Sequence, residues 1–120
     1  MGELISKKEI IRCIQQLNKH YKKSVKFKTG YPIDGRNTPC ADRRTHILIF
    51  PPVEGFYDKH IVAHEYAHIL HAEGIEFMSR IQVHGKRWEA WYIEVCLVLG
   101  IFAIPPMGLV KIVRIRLNLS

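Results

Sequence analysis

The chain has 120 residues, a length that fits one domain with one hydrophobic core and excludes a two-core architecture. Its three cysteines, Cys13, Cys40 and Cys96, lie far apart without C-x-x-C spacing, which excludes a zinc ribbon and argues for a reducing compartment: cytoplasmic, or nucleoid or nuclear. Lys and Arg outnumber Asp and Glu by 18 to 11, and the net charge of +7 favours an acidic partner such as nucleic acid.

Met1–Leu4 lacks the basic and apolar regions of a secretory signal. Ser6-Lys7-Lys8-Glu9 is a capping box, in which Ser6 takes the Glu9 amide and Glu9 reaches back to the Ser6 amide. Ile5 and Ile10 fit the matching hydrophobic staple, and Ile10, Ile14, Leu17 and Tyr21 continue at helical spacing. These signals predict a helix over 7–23 with a basic outer face. Val25 and Phe27 alternate within a short strand over 24–28. Residues 29–44 are rich in Gly, Pro, Asp and Asn and read as a long loop. Residues 45–50 are rich in strand formers and end at Pro51-Pro52. Asp58 can cap the next helix, which runs to about Glu73 before Gly74. Residues 75–83 read as a connector. Trp88, Trp91, Tyr92, Val95 and Leu99 recur at helical spacing and place a third helix over 86–100. Pro105-Pro106 and Gly108 signal a turn, and residues 109–119 read as a strand. The apolar run 95–110 holds 16 residues and is broken by that proline pair, so it is not expected to span a membrane, which needs roughly 20.

The second helix carries the chemistry. His64-Glu65-Tyr66-Ala67-His68 reads H-E-x-x-H. Residues four apart share a helix face, so both imidazoles can point at one metal ion. Glu65 is then placed to act as a base toward water at that metal. A catalytic zinc takes three protein ligands and keeps one open position. His84, at the entry to the third helix, is the favoured third ligand; Glu89 and Glu94 are the rivals. His60 and His71 share the sector of His64 and His68 without being required by the motif.

H-E-x-x-H followed at this distance by His84-Gly85-Lys86-Arg87-Trp88 resembles the SprT-like, or Spartan-type, zinc metallopeptidase domain. His64, Glu65, His68, His84, Gly85 and Trp88 carry the resemblance, and residues 44–52 resemble the extended segment before that family's active-site helix. The resemblance implies a zinc endopeptidase acting on proteins associated with DNA. The paired cysteines of the C-terminal zinc ribbon found in many members are missing here.

The expected fold is a single α+β domain over 1–120: three helices packed on a small sheet, zincin-like, with the metal held between the second and third helices. The expected activity is a zinc-dependent endopeptidase, with one Zn2+ on His64, His68 and His84 and with Glu65 as general base. An extended substrate could pair along residues 45–50 if that strand borders the cleft. Tyr31, Tyr57, Tyr92 and Arg87 are candidates to stabilise the oxyanion. His71, Arg43, Arg44, Lys22 and Lys23 are candidate contacts to protein substrate or DNA. Two other readings stay open: a small basic nucleic-acid-binding or regulatory module with a structural zinc, and a zinc hydrolase of a non-peptide substrate.

Overall fold

A computed structural model describes residues 4–30, 39–52, 57–72 and 85–103 of the chain. The architecture is α+β. Helix α1 (Lys7–Tyr21) is followed by strands β1 (Lys26–Thr29), β2 (Cys40–Asp42) and β3 (Ile47–Phe50), then by helices α2 (Lys59–Ala72) and α3 (Lys86–Val98).

Half of the expected capping box forms. Ser6 accepts a hydrogen bond from the Glu9 amide at 3.3 Å, but the Glu9 carboxylate pairs forward with Arg12 at 2.7 Å. An exposed guanidinium one turn on competes with the backbone for that carboxylate and wins. The helix stops two residues short of expectation. Lys22 takes the left-handed conformation, φ 56°, and its amide closes on the Asn18 carbonyl. Ile10, Cys13, Ile14 and Leu17 form the buried stripe. Asn18 ties the helix end to the residue before β1, donating to the Val25 carbonyl at 2.9 Å and accepting from the Val25 amide at 3.1 Å.

The sheet has the order β1-β3-β2, with β1 parallel and β2 antiparallel to β3. Two expectations are corrected here. The segment read as one long loop contains β2, which is only three residues long and carries no alternation of its own. The strand proposed as a substrate edge is the central strand, so both of its edges are taken by β1 and β2. Residues 45 and 46 lie in the tight turn before it, where His46 has φ 56°.

Leu48, Phe50, Val62, Tyr66, Ile69, Trp88, Tyr92 and Val95 fill the core shared by sheet and helices. Asp58 caps α2 by accepting from the Ile61 amide at 3.0 Å. Helices α2 and α3 pack antiparallel: Trp88 lies against His64 and His68, Tyr92 against His64, and the Phe102 carbonyl reaches His60 at 2.6 Å. Helix α1 is fastened to both. Tyr66 donates to Asn18 at 2.9 Å, Tyr21 donates to Glu94 at 3.1 Å, and Gln16 donates to the Val98 carbonyl at 2.9 Å. No described helix is long and apolar enough to cross a membrane. The expected connector over 75–83 and the turn and strand after residue 104 lie outside the described residues.

Candidate metal centre

The H-E-x-x-H run occupies the middle of α2, where helical spacing stacks position 64 under position 68. Their Nε2 atoms stand 3.2 Å apart. Two nitrogens on a tetrahedral zinc at about 2.0–2.1 Å are separated by about 3.3 Å, so the pair is already spaced as one edge of such a site. A Glu65 oxygen lies 3.8 Å from the His64 Nε2, and all three donor groups fall within 4.8 Å of one another. His64, Glu65 and His68 could therefore hold a metal ion.

Exposure differs across the three. Glu65 and His68 are buried, at 7% and 8%, whereas the His64 side chain is 25% exposed. His64 is thus the member of the group that meets solvent. Burial pushes the Glu65 carboxyl up to about 8, because a low-dielectric site disfavours its charged form. A cation between His64 and His68 would offset that cost and draw the carboxyl back toward ionisation. The donor chemistry and the spacing both fit a divalent metal.

Helix α3 braces the site. Trp88 stacks on His68, with ring centroids 5.4 Å apart and planes at 28°, and meets His64 edge-on at 4.8 Å. Its Nε1 donates to the His64 carbonyl at 3.4 Å, and the indole also stacks with Tyr92 at 5.0 Å and 8°. The sequence marks Trp88 as a core residue; its stacking on a candidate ligand is a further role that spacing alone does not reveal.

His84 lies outside the described residues; its neighbour Gly85 is the N-cap of α3. The rival carboxylates do not join the cluster. Glu94 is exposed and accepts from Tyr21, on the side of α3 facing α1, and Glu89 is buried outside the group of His64, Glu65 and His68. His60 turns to the Phe102 carbonyl and stands 3.7 Å from Asp58. Among the oxyanion candidates, Tyr57 donates to the Pro51 carbonyl, Tyr92 is buried against Trp88, Arg87 is exposed in the first turn of α3, and Tyr31 is not among the described residues.

His71, one turn beyond His68, is 4% exposed. Burial, then the nearby Arg43 and Arg87 guanidiniums, hold its imidazole below the usual histidine range. The other basic candidates gather at one end of the sheet. Lys22 and Lys23 follow α1, the Lys26 amide donates to the His46 carbonyl at 2.9 Å, and Arg43 and Arg44 occupy the same β2–β3 turn as His46. Comparisons with family models, with curated proteins and with solved structures found no match.

Proposed function

We propose that this chain is a zinc-dependent endopeptidase of zincin-like design, as the SprT-like resemblance implies. The observation that carries the reading is the convergence of His64 and His68 at 3.2 Å with the buried Glu65 carboxylate 3.8 Å from the first of them. Two imidazole donors suit zinc among the common divalent metals. The third ligand in this reading is His84, as the resemblance implies; in sequence it directly precedes Gly85, the N-cap of α3.

Zinc, when bound, supplies the electrophile that polarises the scissile carbonyl and makes a water molecule more acidic. The chain's own groups do the rest. Glu65 accepts the proton of the attacking water on a carboxylate oxygen and returns it to the leaving amine nitrogen. Burial of Glu65 keeps its basicity high, and Trp88 fixes the ring of His68 so that the donors stay aligned. His64, the most exposed of the three, is where a substrate would approach the group.

The test is metal content measured beside cleavage of a loosely folded protein. A stoichiometric zinc with chelator-sensitive proteolysis supports the reading. Zinc without proteolysis, together with unfolding on zinc removal, would favour the structural-zinc module instead.

A further inference from the structure

The start of α1 does not close onto the sheet. Between its first turn, strands β1 and β3, and the approach to α2 lies a pocket of about 440 Å3. Its floor is apolar and buried, made by Ile10, Phe50 and Pro51. Ile5, Phe27 and Tyr57, each half-buried, form the walls. The parallel register sets Thr29 beside Phe50, and Phe27 shares that face of β1 two residues earlier. The rings brace one another: Phe27 lies 5.6 Å from Phe50, and Tyr57 meets Phe50 edge-on at 5.0 Å. The Tyr57 hydroxyl donates to the Pro51 carbonyl, so it is already committed to the backbone. The rim is polar. Ser6, Lys7 and Thr29 line the pocket and are exposed. The Lys7 Nζ stands 5.9 Å from the centroid of the Phe27 ring. Among the described residues no carboxylate pairs with Lys7, and the nearest acid in sequence, Glu9, is held by Arg12 at 2.7 Å. Ser6 accepts from the Glu9 amide and still has a hydroxyl hydrogen to donate. None of these residues belongs to the group of His64, Glu65 and His68.

We propose that this pocket is a second ligand site, separate from the metal centre, which binds a small aromatic carboxylate with its ring on the apolar floor and its carboxylate at Lys7. At the ~30 Å3 that a water molecule occupies in the liquid, the volume has room for roughly 15 non-hydrogen atoms, the size of a two-ring acid. An apolar pocket with a few polar groups at one side selects what enters and which way round it sits. A rigid ring suits it better than a flexible chain, because three rings line it in edge-on and tilted arrangements and a ring gives up no internal rotation on entry. An anionic head suits it better than a neutral one, because Lys7 is the charged side chain among the described residues that line it. The Ser6 hydroxyl adds a donor beside that ammonium. Binding requires neither zinc nor peptidase activity.

The experiment titrates three probes into the isotope-labelled full chain and follows its amide and methyl resonances by NMR. The probes are naphthoate, its neutral amide naphthamide, and decanoate, a flexible carboxylate of similar size. Naphthoate should bind with a Kd of about 1 mM or tighter, as its atom count allows. It should shift the amides of Ser6, Lys7, Phe27 and Thr29 and give ring-to-methyl contacts with Ile5 and Ile10, while His64 and His68 stay unmoved. Naphthamide should bind about threefold to fivefold more weakly, the usual worth of an ion pair open to solvent. Decanoate should bind more weakly than naphthoate. Lys7→Gln, an exposed change at the start of α1, should bring naphthoate down to the amide's level, and Lys28→Gln, on the opposite face of β1, should change nothing. Phe27→Leu trims one wall and should weaken naphthoate and naphthamide alike; its urea midpoint verifies that it is folded. No shift at the pocket residues up to the solubility limit of naphthoate overturns the proposal. So do shifts centred on His64 and His68, which would place the carboxylate on a metal there, and a preference for naphthoate over the amide that survives Lys7→Gln. Decanoate binding tighter than naphthoate overturns the choice of an aromatic ligand.

Discussion

The indole of Trp88 lies on the imidazole of His68 at 5.4 Å, while its Nε1 reaches the carbonyl of His64, one turn away on the same helix. One buried side chain thus joins the core to both histidines of the motif. Trp88→Ala should cost on the order of 3–5 kcal/mol of stability, the usual range for emptying a large aromatic site. Trp88→Phe keeps a ring on His68 and loses the hydrogen bond, so about 1 kcal/mol is expected from that bond, plus a smaller packing loss. Urea unfolding of the metal-free and zinc-loaded forms gives both numbers. The Ala variant should also bind zinc more weakly; unchanged zinc affinity in a folded Trp88→Ala protein would mean that the stack does not position His68.

Purified chain should hold about one zinc, as expected of a mononuclear site. His64→Ala and His68→Ala should each abolish tight binding, and His84→Ala should weaken it strongly. His60→Ala and His71→Ala should leave it intact, since His60 faces the Phe102 carbonyl and His71 lies beyond the cluster. Elemental analysis with competition by a chromophoric chelator decides the matter. Metal loss in His71→Ala with retention in His84→Ala would refute the ligand set.

Glu65→Gln should keep zinc and the fold while lowering cleavage by a factor on the order of 10² or more, as for loss of a general base. Near-normal turnover in this variant would dispose of the mechanism. The metal-free protein offers a second readout. Its Glu65 carboxyl is raised by burial from 4.5 to about 8. In that window the folded state holds a proton that the unfolded chain has released, so stability from this group is complete below the unfolded value and falls as pH rises toward 8. With chelator present, the urea midpoint of the native protein should drop between pH 5 and pH 8 more than that of Glu65→Gln. An equal drop in both would show that Glu65 does not carry the shift.

The sequence makes the helices legible because each announces its ends and its face. Ser6 and Asp58 cap as expected, and the stripes Ile10-Ile14-Leu17 and Trp88-Tyr92-Val95 are buried as their spacing implies. The pairing of His64 and His68 is legible for the same reason: a four-residue step on a helix fixes where the two side chains point. The sheet is less legible. β2 is too short to show a period, and strand order depends on pairings between distant residues that no local pattern encodes. The carboxyl of Glu9 is a smaller case, where a capping role and an ion pair with Arg12 compete and only three-dimensional geometry shows which prevails.

The cysteines should separate by reactivity. Burial raises the Cys13 thiol above its ordinary value and pushes Cys96 up to about 12, so little of either is thiolate at pH 8. Cys40, on the outer strand β2, is only half-buried. Alkylation of the native protein at pH 8 should therefore label Cys40 first, and label Cys13 and Cys96 only when urea opens the core. Peptide mapping after a timed iodoacetamide pulse distinguishes the three. Early labelling of Cys96 would indicate that α3 detaches readily from α2, contrary to its packing.

The basic end of the sheet bears on the DNA partner implied by the family resemblance. Lys22 is exposed, and Arg44 is exposed in the turn whose His46 carbonyl accepts from Lys26, so cations from α1, β1 and the β2–β3 turn share one end. Such a surface attracts phosphates without reading bases. Binding to single- or double-stranded DNA should be weak, independent of sequence, and steeply reduced by salt as counterions are released. Charge reversal of Lys19, Lys22 and Lys23 to Glu should weaken binding equally on all sequences and flatten the salt dependence. It should leave zinc content and cleavage of a free protein unchanged, because these lysines lie outside the group of His64, Glu65 and His68. DNA should then speed cleavage only of substrates that bind DNA themselves, by raising their effective concentration. Anisotropy titration at low salt is the measurement: no binding at micromolar protein would remove DNA from the reading, and the zinc site would then act on proteins without a nucleic-acid tether.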